Sequence, residues 1–162
     1  MLARKSARWV AIGLGLAVAL GVLFYPTDEK RVRAAADALV AAANRDPAEL
    51  SRVLETYASP GVSVNAAELS EPLTGRDAIV AAVGQLRQLE PSLHFRIEGV
   101  EVSTEGNRAR VNADLITMPG PELPELRRPR RSVALFEKHG AGYRLVSAEI
   151  GPERRDQPEA RP

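Results

Sequence analysis

The spacing of apolar residues changes from a period near 3.6 to a period of 2 at Pro91, and this change restricts the fold more than any other feature. Before it, Val32, Ala35, Ala36, Leu39, Val40 and Ala43 form one helical stripe, with Arg31, Arg33 and Asp37 off it. Leu50, Val53, Leu54 and Tyr57 form a second. Asp46 can cap it, Pro47 suits its first position, Glu49 completes a capping box, and Ser59-Pro60-Gly61 should end it. A short strand is expected at residues 62–65. The third stripe, Ile79, Val83 and Leu86, opens at Thr74-Gly75-Arg76-Asp77, where the Thr74 hydroxyl should accept from the Asp77 amide.

After Pro91, Phe95 and Ile97 alternate with polar residues, and the apolar parity then shifts across Gly99 to Val100 and Val102. A bulge at the glycine would produce that shift. A turn at Glu105-Gly106-Asn107 leads to alternating Ala109, Val111, Ala113 and Leu115. Further strands are expected around residues 132–138 and over 143–150, joined by His139-Gly140-Ala141-Gly142. Helices first and hairpins afterwards predict an α+β layer with an antiparallel sheet.

Residues 9–25 carry no charged side chain, and Arg4, Lys5 and Arg8 come just before them. As a helix they span roughly 25 Å, at the short end of a bilayer crossing. Trp9 at one end and Phe24 and Tyr25 at the other fit an interfacial aromatic belt. The reading is a cytoplasmic tail over 1–8, a transmembrane helix or uncleaved signal anchor over 9–25, and a periplasmic remainder at the inner membrane. A cleaved signal peptide is the rival, but Val22-Leu23-Phe24-Tyr25 is too bulky for a small-residue cleavage site.

The rest is long enough for one domain and not for two. The three cations before the apolar run belong to a total of 22, leaving 19 against 21 acids. Near-neutrality argues against nucleic-acid binding. With no cysteine, disulfides and thiol chemistry are excluded. The charged, proline-containing tail over 151–162 reads as disordered.

The paired N-terminal helices, then Pro72-Leu73-Thr74-Gly75-Arg76-Asp77-Ala78-Ile79, then the meander ending Gly142-Tyr143-Arg144-Leu145-Val146, resemble the nuclear transport factor 2-like superfamily over residues 30–150. The likeness is greatest to its SnoaL-like and ketosteroid isomerase-like branch. It implies a cone, with a curved antiparallel sheet wrapped around helices and an apolar pocket at the open end. The isomerase-like members place a general-base aspartate between the first strand and the third helix, and a tyrosine on the first helix. Here the segment reads Val62-Ser63-Val64-Asn65-Ala66-Ala67, without a carboxylate, and the first helix has no tyrosine. Asn65 cannot abstract a proton, so that mechanism is not expected. The epoxide hydrolases of the superfamily would draw on residues such as Arg96 and Asp114, which also read as ordinary strand residues facing water. No catalytic residue is therefore assigned.

Tyr57, Asn65, Asn112 and Asp114 are the candidate ligand-pocket residues, although Asn112 and Asp114 lie on the parity opposite to Val111 and Ala113. His94 and His139, the only histidines, do not make a metal site, which needs three or four converging ligands. No cofactor is implied. Arg127, Arg128, Arg130 and Arg131 follow a proline-rich connection and form a candidate basic arm for an acidic protein partner or anionic lipid. The competing account is a solubilising loop leading into an edge strand. A homodimer stays open. The function that fits best is a non-catalytic, membrane-anchored domain binding a partner protein or a small apolar ligand in its cone. The alternative is a SnoaL-like periplasmic enzyme acting on a lipophilic substrate.

Overall fold

Thr27 starts the first helix by accepting from the Lys30 amide through its hydroxyl, and Asp28 and Glu29 add negative charge to the first turn. This helix, α1, covers Asp28–Ala43 in a computed structural model that describes residues 27–122 and 127–154. Helix α2 (Pro47–Tyr57) begins as expected, with the Asp46 carboxylate accepting from the Glu49 amide at 2.9 Å. The elements that follow are β1 (Ala58–Ala66), β2 (Leu73–Thr74), α3 (Arg76–Leu89), β3 (His94–Glu105), β4 (Arg108–Met118), β5 (Arg128–His139) and β6 (Gly142–Glu153). The expected apolar anchor and the residues after 154 lie outside the described part. No helix among the described residues is long and apolar enough to cross a membrane.

The six strands form one curved sheet in the order β2-β1-β6-β5-β4-β3. The expectation of a wholly antiparallel sheet needs correcting, because β1 runs parallel to β6. The crossover is possible because α3 and the β3–β5 meander intervene between these two strands. Ser59-Pro60-Gly61 does not end α2 in a loop; it lies inside β1, near a register shift between Ala58 and Ser63. Thr74 does not cap α3 either. It pairs with Ser63 in β2, and Gly75 takes the cap position at a φ of 91° with no side-chain bond. The bulge does fall at Gly99, whose φ is 59°, and the β3–β4 register shifts between Glu98 and Glu101.

The core lies between α1, α2 and the inner face of the sheet. Val32, Ala35, Leu50, Leu54, Ala58, Val62, Ala109, Val111, Phe136 and Tyr143 are all buried in it. Leu39, expected at the centre of the α1 stripe, is only half-buried. The face of α1 is instead centred on Val32, Ala35 and Ala36, with Ala42 about two turns on. Two side chains join the far end of α1 to its neighbours. Asn44 donates to the Phe95 carbonyl and accepts from the Phe95 amide, both at 2.7 Å, and Arg87 of α3 donates twice to the Ala43 carbonyl. The Arg87 bonds satisfy a carbonyl at the end of α1 that would otherwise lack an intrahelical partner.

Candidate functional site

Along β5, Phe136, Ala134, Ser132 and Arg130 share one side of the strand, because alternate residues face the same way. Phe136 is core, so this is the inner face, and it carries Arg130 toward the β4–β5 end. The pairing with β4 supports this: Ala109, Val111, Ala113 and Leu115 stand opposite Phe136, Ala134, Ser132 and Arg130. Packing on this face thins along the same direction. Phe136 and Ala109 are buried, whereas Ile97, Leu115 and Ile150 are half-buried. Helix α3 packs Ile79, Val80 and Val83 against the core cluster, and none of its residues is fully buried. The inner face is therefore apolar and only partly covered at one end.

Arg130 is the cation of that end, with a side chain only 18% exposed. It donates to Glu68 in the loop after β1, and it lies 3.9 Å from Glu153 near the end of β6. Arg130 holds the Glu68 carboxyl below the usual carboxylate range.

A cleft of about 440 Å³ opens at the other end. Ala34 and Ala35 of α1, Tyr57 at the end of α2, and His139, Tyr143 and Arg144 around the β5–β6 turn line it. Tyr143 is 3% exposed, and its hydroxyl makes no well-formed hydrogen bond among the described residues. Burial, with the nearby Asp28 carboxylate, pushes its pKa up. Asp28 is itself held low, chiefly by Lys138 at 3.3 Å.

The four expected pocket residues do not converge. Tyr57 is in the cleft. Asn65 is exposed on β1. Asn112 and Asp114 are on the outer face, in a depression of about 200 Å³ shared with Glu101, Arg131 and Arg154. Asp114 pairs with Arg154 there. The four arginines are not a projecting arm. Arg128, Arg130 and Arg131 belong to β5, an interior strand of the sheet rather than an edge. Pleating divides them: Arg130 faces inward, Arg131 joins the outer depression, and Arg128 is exposed at the start of the strand. Arg127 pairs with Glu98 at 2.7 Å. Sequence reasoning missed Arg130 as an inward-facing group. Its two-residue spacing from Ser132 and Ala134 carried that signal, but the prolines around it read as loop. Among the described residues no three metal-binding side chains converge.

A family profile described as SnoaL-like domain matches residues 32–150. Among solved structures, an NTF2-like protein with a cystatin-like fold from Novosphingobium aromaticivorans shares 18% identity over 84% of this chain and 86% of that one, with a TM-score of 0.65. A dehydratase candidate from the NTF2-like family of Streptomyces avermitilis shares 21%, covering 80% of this chain and 98% of that one, with a TM-score of 0.61. An isomerase candidate of the SnoaL-like family from Agrobacterium tumefaciens shares 17%, covering 77% and 98%, with a TM-score of 0.55. At such identities the likeness is one of fold. No curated protein matches the chain in sequence.

Proposed function

This chain belongs to the SnoaL-like domain family, and we propose that it is a membrane-anchored, periplasmic member that binds a small apolar ligand against the inner face of its sheet without transforming it. The observation that carries this reading is the chemistry of the inner face. Its less covered end presents Ile97, Leu115 and Ile150, and the two acids beside it, Glu68 and Glu153, both face Arg130. A carboxylate paired with a guanidinium is a weak proton acceptor, because the pairing favours its charged form. Asn65, in the segment where an isomerase base is expected, is an exposed amide. Apolar walls with few polar groups suit binding and orientation more than acid–base work. The fold alone does not choose between the two, since one fold hosts many functions.

The anchor reading is supported by the apolar, uncharged stretch 9–25 behind three cations, and by a folded domain that begins at Asp28, just beyond it. Mass spectrometry of organic extracts from the purified full chain tests the ligand reading. A lipophilic molecule should be recovered near one equivalent and unchanged after incubation with fresh protein. Conversion of the extracted molecule into a product would establish the enzymatic alternative instead.

A further inference from the structure

We infer that the cleft beside the β5–β6 turn receives the phosphate headgroup of an anionic phospholipid from the bilayer that holds the anchor. This goes beyond the apolar-ligand reading of the inner face, and it rests on the anchor reading alone. Arg31, His139 and Arg144 line the cleft of about 440 Å³, and none of its described lining residues is acidic. A concave site lined by one sign of charge concentrates the opposite sign. Arg144 supplies the unmatched charge. It is half-buried, and its guanidinium makes no ion pair or hydrogen bond. The acids of this part of the fold are engaged elsewhere. Glu137, opposite Arg144 on β5, lies 3.4 Å from Arg108, and Asp28 lies 3.3 Å from Lys138. A guanidinium partly withdrawn from water gains from a compensating anion, and its planar fork presents two parallel donors to phosphate oxygens.

The cleft exists because β1 reaches β6 only at Leu145, opposite Ala58. Residues 142–144 therefore leave an open strand border facing α1 and the end of α2, and side chains from both faces of β6, Tyr143 and Arg144, adjoin it. This end of the domain is also the one that joins the apolar stretch. Only Pro26 and Thr27 separate Tyr25 from Asp28, which is at most about 11 Å of extended chain. The first turn of α1 is tied to the β5–β6 turn, since Arg31 donates to the Ala141 carbonyl at 2.8 Å and Lys138 pairs with Asp28. An inserted anchor thus holds the cleft within reach of the headgroups. Tyr57, at its border, suits that level of the membrane, where amphipathic rings collect. A zwitterionic headgroup brings its own cation to a cationic cleft and gains less.

The test uses the full chain in mixed nanodiscs, with phosphatidylglycerol carrying a diazirine next to its phosphate, or the matching phosphatidylcholine. Photo-adducts are mapped by peptide mass spectrometry and normalised to those on residues 9–25. Phosphatidylglycerol should label peptides containing Tyr57 or residues 142–144 more strongly than phosphatidylcholine does. Arg144→Gln should lower that signal about tenfold, as expected for loss of one charge-assisted contact, and leave the phosphatidylcholine signal unchanged. Arg144→Lys should restore part of it. Ala34→Asp, which puts a carboxylate at an exposed lining position of α1, should lower it as well. Excess soluble glycerol phosphate should not compete. Equal labelling by the two lipids, or no loss in Arg144→Gln, overturns the inference, while adducts on residues 9–25 keep the anchor reading in place. Full competition by glycerol phosphate overturns the lipid source in favour of a free phosphate ester. Absence of adducts on residues 9–25 removes the anchor reading and the inference together. Should Arg144→Gln fail to fold by circular dichroism, Arg144→Lys and Ala34→Asp decide the matter.

Discussion

Tyr143 buries a phenolic hydroxyl that makes no well-formed hydrogen bond among the described residues, with the Asp28 carboxylate close by. A buried polar atom without a partner carries a desolvation penalty that its removal relieves. Tyr143→Phe should therefore leave stability within about 0.5 kcal/mol of the wild type, or raise it, as read from a denaturant midpoint. Glu68 gives a pH dependence whose sign follows from its lowered pKa. Stabilisation from the Arg130 contact is fully present above the unfolded-state carboxylate value, about 4.3. It is lost as pH falls through the lower folded-state value. The melting-temperature difference between wild type and Glu68→Gln should be constant near neutrality and shrink below about pH 4; a constant difference through acid would disprove it. Single residues were the least legible part of the sequence. Asn65, Asn112 and Asp114 are polar residues in strands, and polarity alone does not reveal which face of a curved sheet a strand presents.

Elements were readable wherever a periodic stripe met a start signal. Asp46-Pro47 and the parity change at Gly99 each marked a feature that forms in place. Boundaries failed where proline dominated. Pro60 and Pro129 sit inside β1 and β5, because a strand tolerates proline at irregular positions even though its missing amide argues locally for a loop. Glycines in two elements separate backbone strain from propensity. A Cβ at Gly99 or at Gly84 meets nothing within 4 Å, so space is no obstacle at either position. Gly99 has a positive φ, and Gly99→Ala should cost about 1–2 kcal/mol. Gly84 is in α3, and Gly84→Ala should gain about 0.5–1 kcal/mol. Urea unfolding of the two variants should shift in opposite directions, and parallel shifts would show that the bulge is not held at Gly99.

For the whole molecule, the sequence carried the fold class and the order of elements but not the parallel β1–β6 pairing. No local pattern encodes which strand becomes the neighbour of another far along the chain. Core burial supplies the corresponding prediction. Leu54 is 2% exposed in the central cluster, so Leu54→Ala should cost about 2–5 kcal/mol. Arg33 is exposed on α1, and Arg33→Ala should stay within about 0.5 kcal/mol. Equal losses in thermal unfolding would mean that the helix face is assigned wrongly. The proposed anchor has its own test. Carbonate-washed membranes should retain the full chain, and because the chain has no cysteine, a single one introduced at exposed Glu90 should react with an impermeant maleimide from the periplasmic side.

The placement of β6 between β1 and β5 governs how the chain can assemble during synthesis. The strand made last fills an interior position, so β1 and β5 each wait with an unpaired side until residues 142–153 have emerged. Pairings this distant along the chain are slow to form, and open strand sides invite association with other chains. A nascent chain stalled before Gly142 should therefore expose two sticky borders and depend on a holding chaperone. Release of the 12 residues of β6 should close both at once.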